Sequence, residues 1–106
     1  MDDLLIARKY ISKVDHAKEK GIHFDLSITS FANMMKAKRC GLTGIKLDSY
    51  NITVDRIDND EGYISGNVMA VCTQANQLKS IWENPSSQLT QKNVLKMMKK
   101  LEKINV

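Results

Sequence analysis

Proline, cysteine and aromatic residues are scarce in this chain of 106 residues, which has one Pro, two Cys, one Trp, two Phe and three Tyr. Two cysteines are too few for a disulfide framework, and they fit free thiols in a reducing compartment. No apolar run approaches the length needed to span a bilayer, and the N-terminus lacks the apolar segment of a signal peptide. We therefore expect a cytoplasmic protein without membrane contact.

Charge is distributed unevenly along the chain, whose net charge is +4. Carboxylates concentrate at 55–61, lysines concentrate at 92–103, and Lys36, Lys38 and Arg39 form a third cluster. An acidic centre between basic segments suits a metal site flanked by phosphate-binding surfaces. For any single cluster, a solvated surface is the alternative interpretation.

Apolar periodicity and capping residues predict helices over 3–20, 28–38, 74–82 and 91–104. Ser27, Thr73 and Thr90 are the predicted N-caps. Strands are predicted around 52–57 and over 67–72, joined by the turn residues 59–62. The chain is therefore predicted to be an α+β protein with one domain, 1–106. It would comprise a helical part at 1–39, a ββα core at 40–83 and a C-terminal helix at 84–106.

The predicted ββα core places two oxygen ligands near one point. Asp55 lies near the end of the first strand, and Asn76 lies in the first turns of the helix that follows the second strand. Mg²⁺ retains several waters and needs only one or two carboxylates, so this small ligand set is adequate. The sequence thus predicts a site for Mg²⁺ or Mn²⁺ at Asp55 and Asn76.

The same segment resembles a known family. Over residues 24–80 the chain is similar to the HNH, or His-Me finger (ββα-metal), endonucleases, most of all to phage-type members and more distantly to the phage recombination endonuclease VII. The residues that carry the resemblance are Cys40-Gly41-Leu42-Thr43-Gly44, Asp55-Arg56-Ile57-Asp58-Asn59, Gly62-Tyr63, Gly66-Asn67-Val68, Cys72, Asn76 and Lys79. The resemblance implies hydrolysis of phosphodiester bonds in DNA with one divalent metal, in the host cytoplasm if a phage encodes the protein.

The resemblance also implies roles for single residues. Asp55 takes the place of the metal-binding carboxylate, and Asn76 that of the second metal ligand. Asn67 takes a position that braces the hairpin loop and belongs, with Asp55, Arg56 and Asn76, to the candidate catalytic group. Gly62 and Gly66 match turn glycines that need a positive φ or a close backbone approach. Lys79 matches a basic residue on an exposed helix face that contacts phosphate.

Arg56 stands where active members of the family have the general-base histidine. Arginine stays protonated, so it can steady a phosphate but cannot take a proton from water. The base would then be a bulk or metal-bound hydroxide, Asp58, or a histidine from elsewhere, His16 or His23. The rival hypothesis is a catalytically inactive module with this fold that binds DNA or a host protein.

A second departure concerns the zinc knuckle of some relatives, whose four cysteines correspond here to Cys40, Thr43, Cys72 and Ala75. Because two of the four ligands are absent, we predict no structural zinc. Cys40 and Cys72 should lie close together as buried thiols, and the Thr43 hydroxyl should hold the same turn.

The last predicted helix carries a basic stripe. Spacings of three and four residues place Lys92, Lys96, Lys99 and Lys103 along one face, which would bind nucleic acid together with Arg56 and Lys79. The apolar residues Leu95, Met98 and Leu101 should pack on the domain. A homodimer would suit double-strand cutting.

Overall fold

The computed structural model describes residues 1–104 and has an α+β fold, as predicted. Its elements in chain order are α1 (Asp3–Glu19), α2 (Ile28–Met34), β1 (Ile52–Arg56), β2 (Val68–Cys72), α3 (Thr73–Glu83) and α4 (Gln91–Ile104). The chain divides into two compact units, Met1–Asn76 and Gln77–Val106. The first unit contains the sheet, and the division falls within α3.

Both N-terminal helices begin at capping residues. Asp2 accepts the backbone N–H of Leu5, and Ser27 accepts that of Ser30, so the predicted cap at Ser27 is confirmed. The second helix is shorter than the predicted 28–38. Its last turn tightens as the amides of Lys36 and Ala37 bond to carbonyls three residues earlier. The chain then becomes extended, because Arg39 forms an isolated bridge with Lys46.

The two strands form an antiparallel hairpin. Ile52 lies opposite Cys72 and Arg56 lies opposite Val68, which places Asp55 opposite Met69. The third helix follows β2 without a linker, so the prediction that Thr73 is an N-cap outside the helix is wrong. Thr73 is the first helical residue, and its backbone N–H donates to the carbonyl of Asn51 at 2.8 Å. This bond fixes the start of α3 beside the entry to β1.

The buried core of the described residues lies entirely between Ala17 and Ala75, within the first unit. Its most enclosed large side chains are Phe31 of α2, Val54 of β1 and Val71 of β2. An aromatic cluster extends this core, with neighbouring ring centroids 5.4–5.6 Å apart along the series Phe31, Tyr10, Phe24 and Tyr63. The two N-terminal helices and the hairpin thus share one apolar interior.

The second unit contains α4, whose predicted N-cap is confirmed: the Thr90 hydroxyl accepts the backbone N–H of Asn93. No residue of α4 is buried among those described. Leu95, Met98 and Leu101 keep exposed fractions of 54%, 52% and 45%. Local capping and an amphipathic pattern form this helix, and the packing of its apolar face on the domain stays a prediction. Within residues 1–104, no helix is long and apolar enough to cross a membrane.

Candidate functional site

The side chain of Asn67 braces the loop between the two strands. It is buried, its Oδ1 accepts the backbone N–H of Asp58 at 2.9 Å, and its Nδ2 donates to the carbonyls of Asp58 at 3.0 Å and Gly62 at 2.8 Å. The Asn67 carbonyl accepts the amide of Ile57 at 2.8 Å. These bonds confirm the predicted bracing position and give Asn67 a positioning role. Its membership of the catalytic group stays a prediction.

Two glycines shape the same loop for different reasons. Gly66 has a φ of 86°, a conformation that side chains with a Cβ rarely adopt. At Gly62 the reason is space, because a Cβ there would overlap the carbonyl oxygen of His23. The amide of Tyr63 donates to that same carbonyl at 2.8 Å, which binds the loop to the segment after α1. Both predicted requirements, a positive φ and a close approach, are therefore confirmed.

Arg56 is engaged by the loop that follows it. Its Nη1 donates to the carbonyl of Asn59 at 2.8 Å and to that of Glu61 at 3.1 Å. Its guanidinium carbon lies 5.4 Å from the ring centroid of Tyr63. Arg56 is therefore a cation that holds the hairpin loop, and its contact with phosphate stays a prediction.

Asp55 is buried in β1 and lies among cations from two elements. The Lys13 ammonium of α1 lies 5.6 Å from the centroid of Tyr63, on whose ring Arg56 also lies. Burial lowers the pKa of Lys13, Asp55 opposes this shift, and Arg56 and Lys9 add to it. Burial also raises the pKa of Tyr63, Arg56 opposes that shift, and Asp55 adds to it. The Asp55 carboxylate thus has an ammonium and a guanidinium within electrostatic reach.

A groove in the first unit runs between α1 and the hairpin, with a volume of about 550 Å³. One wall is the α1 face that carries Arg8, Lys9, Ser12, Lys13 and His16. The other polar lining residues are Tyr50, Thr53, Thr73 and Asn76. We call this feature the α1 groove. It contains one of the two predicted metal ligands, Asn76, whereas Asp55 is not among its lining residues and influences the groove residue Lys13 electrostatically.

Sequence reasoning missed the basic wall of this groove. The signal was present, because Arg8, Ser12 and His16 repeat every four residues and Lys9 and Lys13 form a parallel row on the same helix. This signal is weaker than those of the basic clusters at 36–39 and 92–103, which are denser in the sequence. Only the packing of α1 beside β1 brings its cations to the hairpin.

The candidate bases differ in their surroundings. Asp58 is a turn residue, because its Oδ1 accepts the amide of Asp60 at 2.9 Å. His23 contacts the loop through its backbone, because its carbonyl accepts the amide N–H of Tyr63. His16 is exposed and lines the α1 groove together with Asn76. Of the two histidines, His16 is the one that the groove brings to a candidate metal ligand.

The knuckle at residues 40–45 forms around two free, buried cysteines. Thr43 Oγ1 lies 4.0 Å from Cys72 Sγ and accepts the amide of Ile45 at 3.2 Å, so its predicted hold on the turn is confirmed. Burial raises the pKa of Cys40, but hydrogen bonds from the Thr43 hydroxyl and from the backbone of Cys72, Leu42 and Thr43 outweigh it and lower the pKa to about 7. This donor set stabilises a thiolate.

The predicted nucleic-acid contacts of the second unit have two different environments. Lys79 Nζ lies 3.6 Å from Glu83 Oε2, and only 15% of its side chain is exposed, so the predicted exposed position is wrong. The α4 lysines form the predicted stripe, because Lys92, Lys96, Lys99 and Lys103 line one shallow depression with Leu95 and Lys100.

The oxygen atoms of Asp55 and Asn76 have the chemistry that Mg²⁺ and Mn²⁺ prefer. Asp55 is buried and Asn76 lines a groove open to water, and joint binding of a hydrated cation by the two residues stays a prediction. Among residues 1–104 no group of three or more His, Cys, Asp or Glu side chains is arranged to hold a metal. Any cation at this site would therefore depend on the single carboxylate of Asp55.

The chain is 31% identical over 81 residues to an uncharacterized 29.0 kDa protein in the dda-modA intergenic region of Enterobacteria phage T4. The alignment covers 69% of this chain and 33% of the phage protein, so the chain spans about a third of the length of that relative. No family model and no solved structure matches the chain. The similarity connects the chain to a bacteriophage protein and assigns it no activity.

Proposed function

We propose that the protein is a metal-dependent endonuclease of the phage HNH type, which hydrolyses phosphodiester bonds in nucleic acid. The observation that carries the proposal is the buried carboxylate of Asp55, which interacts with Lys13 of a basic groove that also contains Asn76. A phosphodiester substrate needs cations for its phosphates and an oxygen-lined metal site beside them. In this proposal the α1 groove supplies the cations, and Asp55 and Asn76 are the candidate metal ligands.

Each residue has a stated role in this proposal. Asp55 and Asn76 would hold the cation, and a bound Mg²⁺ or Mn²⁺ would supply Lewis-acid stabilisation and a water of lowered pKa. Lys13 would hold the phosphate close to Asp55. His16 is the groove residue whose side-chain type exchanges protons near neutral pH, so it is our candidate for accepting the proton of the attacking water. Asn67 and Arg56 keep the loop in shape.

The test is plasmid nicking at low salt with Mg²⁺ or Mn²⁺, with EDTA as the blank. We expect nicking by the wild type and none by Asp55→Asn, which keeps the size of the side chain and removes its charge. Asp60→Asn is the matched control, because Asp60 is an exposed carboxylate of the hairpin turn. Thermal unfolding would check that both variants fold. Nicking by Asp55→Asn at the wild-type rate would show that any activity comes from elsewhere.

A second candidate function is a non-catalytic module that binds nucleic acid through the same groove. The observation that favours it is the positive charge around Asp55, since Lys13 and Arg56 both lie within its electrostatic reach and would oppose a second cation. This alternative would be established if the wild-type protein binds a polynucleotide, does not nick plasmid DNA and shows no binding of Mn²⁺ in calorimetry. If Lys13→Met then gained Mn²⁺ binding, the ammonium would be identified as the obstacle.

A further inference from the structure

The α1 groove combines a continuous basic wall with an aromatic side chain that faces solvent. Four basic residues line it, Arg8, Lys9, Lys13 and His16, and its lining includes no carboxylate. Tyr50 lies in the same lining with 91% of its surface exposed, by far the largest exposed fraction of any aromatic residue described. Cations track the backbone of nucleic acids, and exposed rings stack on bases. The two features occur here in one groove.

Tyr50 is held in place although its ring is exposed. Asp48 Oδ1 accepts the amides of Tyr50 at 2.8 Å and Asn51 at 2.9 Å, and Asn51 Oδ1 accepts the amide of Asp48 at 2.8 Å. The Asn51 carbonyl in turn accepts the amide of Thr73 at the start of α3. The turn that carries the ring is therefore fixed to the groove wall, so stacking on Tyr50 would cost little backbone ordering.

The charges around the groove favour one path for an anionic strand, along the basic wall. On the adjacent face of α1, Asp15 and Glu19 share a second depression with Arg8 and His16. Carboxylates therefore bound the basic wall on its outer side. At its inner side Lys13 interacts with Asp55, where the proposed hydrolysis would occur. The start of α3 adds the positive end of a helix whose first turn has no acidic residue.

We propose that the α1 groove binds an unpaired polynucleotide strand, with phosphates along Arg8, Lys9 and Lys13 and a base stacked on Tyr50. An unpaired strand is required because the bases of a duplex already stack on one another and leave no face for Tyr50. The inference deepens the proposed function, on which it rests for the place where the strand is cut. DNA and RNA both offer the phosphates and unstacked bases that such a groove would bind. Binding to a DNA oligonucleotide and to an RNA oligonucleotide distinguishes the two.

The experiment measures fluorescence anisotropy of labelled oligothymidine, oligouridine and a duplex of equal length, at low salt and with EDTA present. We expect tighter binding of the single strands than of the duplex. Tyr50→Ala should weaken single-strand binding about tenfold, and Tyr50→Phe should stay within about twofold. The double variant Arg8→Ala/Lys9→Ala should lower the slope of log affinity against log salt by about 1.4, since each lost phosphate contact contributes about 0.7 for single strands.

The matched control is Lys18→Ala/Lys20→Ala, which removes the same charge from the exposed end of the same helix, outside the groove lining. Equal losses in the two double variants would overturn the groove as the binding site. A duplex that binds as tightly as the single strands, with no effect of Tyr50→Ala, would overturn the unpaired strand as the ligand. Because EDTA excludes hydrolysis, groove-dependent binding without plasmid nicking would support this inference and contradict only the proposed nuclease.

Discussion

The two units of the chain present their basic residues in different ways. In the first unit, the cations of α1 line a groove beside a buried carboxylate and a sheet with a packed core. In the second unit, the lysines of α4 lie on a helix in which none of the described residues is buried. Tertiary contacts therefore fix the positions of the first set, whereas helix periodicity alone arranges the second.

This difference separates two kinds of nucleic-acid contact. A surface whose side chains are held by neighbours can position one bond of a substrate for reaction, because preorganised groups lose little freedom on binding. A stripe of exposed lysines adds affinity that depends on salt and not on sequence. We therefore assign the candidate chemistry to the first unit and only electrostatic attraction to α4.

The largest effect should come from truncating one apolar side chain in each unit. Phe31→Ala should lower the free energy of unfolding by about 3–5 kcal/mol, because it leaves a cavity in the core. Leu101→Ala on α4 should change it by less than about 0.5 kcal/mol, because that side chain is already 45% exposed. Urea unfolding followed by circular dichroism measures both. Similar losses would mean that the apolar face of α4 is covered in solution.

The next effect concerns the loop brace. Asn67→Ala should lower the free energy of unfolding by about 3 kcal/mol, because it removes the three hydrogen bonds that hold the loop at Asp58 and Gly62. Asn33→Ala, at an exposed position of α2, is the control and should have little effect. A small loss at Asn67 would show that water can replace the brace, and the hairpin would then be less rigid than the groove proposal requires.

Arg56→Met should have an intermediate effect. It removes two hydrogen bonds to loop carbonyls and the contact with the Tyr63 ring, so we expect a loss of about 2 kcal/mol. The same substitution at Lys96, on the α4 stripe, should be nearly neutral. Thermal unfolding of the two variants compares one cation from each unit. A neutral Arg56→Met would contradict the role of Arg56 as a loop clamp.

The smallest effect depends on pH. Because the folded pKa of Cys40 is about 7, below its ordinary value of 9.0, Cys40 contributes stability that is present above pH 9 and is lost as pH falls through about 7. Thr43→Val removes one thiolate donor, so it should raise that pKa. The thiolate absorbance of the two proteins over this pH range measures the shift. Cys40→Ser should abolish the step; a step that persists would belong to Cys72.

The elements of this fold were predictable from the sequence because their signals are local. Ser27 and Thr90 mark helix starts, and the glycines of the hairpin mark a positive φ at Gly66 and a close approach at Gly62. Thr73 is the first residue of α3 and not a cap before it, and its amide donates to the carbonyl of Asn51, which lies more than twenty residues earlier. The helix α2 is also shorter than predicted. The residues that follow it lead to an isolated β-bridge between Arg39 and Lys46, which lies outside the helix.

Some features of the candidate site could likewise be predicted from the sequence, and others depend on tertiary packing. The positions of Asp55, Asn67 and Asn76 in the hairpin and helix and the α4 stripe follow from local sequence signals, and the sequence by itself determined them, whereas the knuckle was expected from the family resemblance. Three features were decided only by the tertiary structure: the use of Arg56 as a loop clamp, the approach of Lys13 to Asp55, and the groove that joins α1 to Tyr50 and Asn76. The reason is physical, since periodicity records the face on which a residue lies, whereas only packing determines which other face it meets.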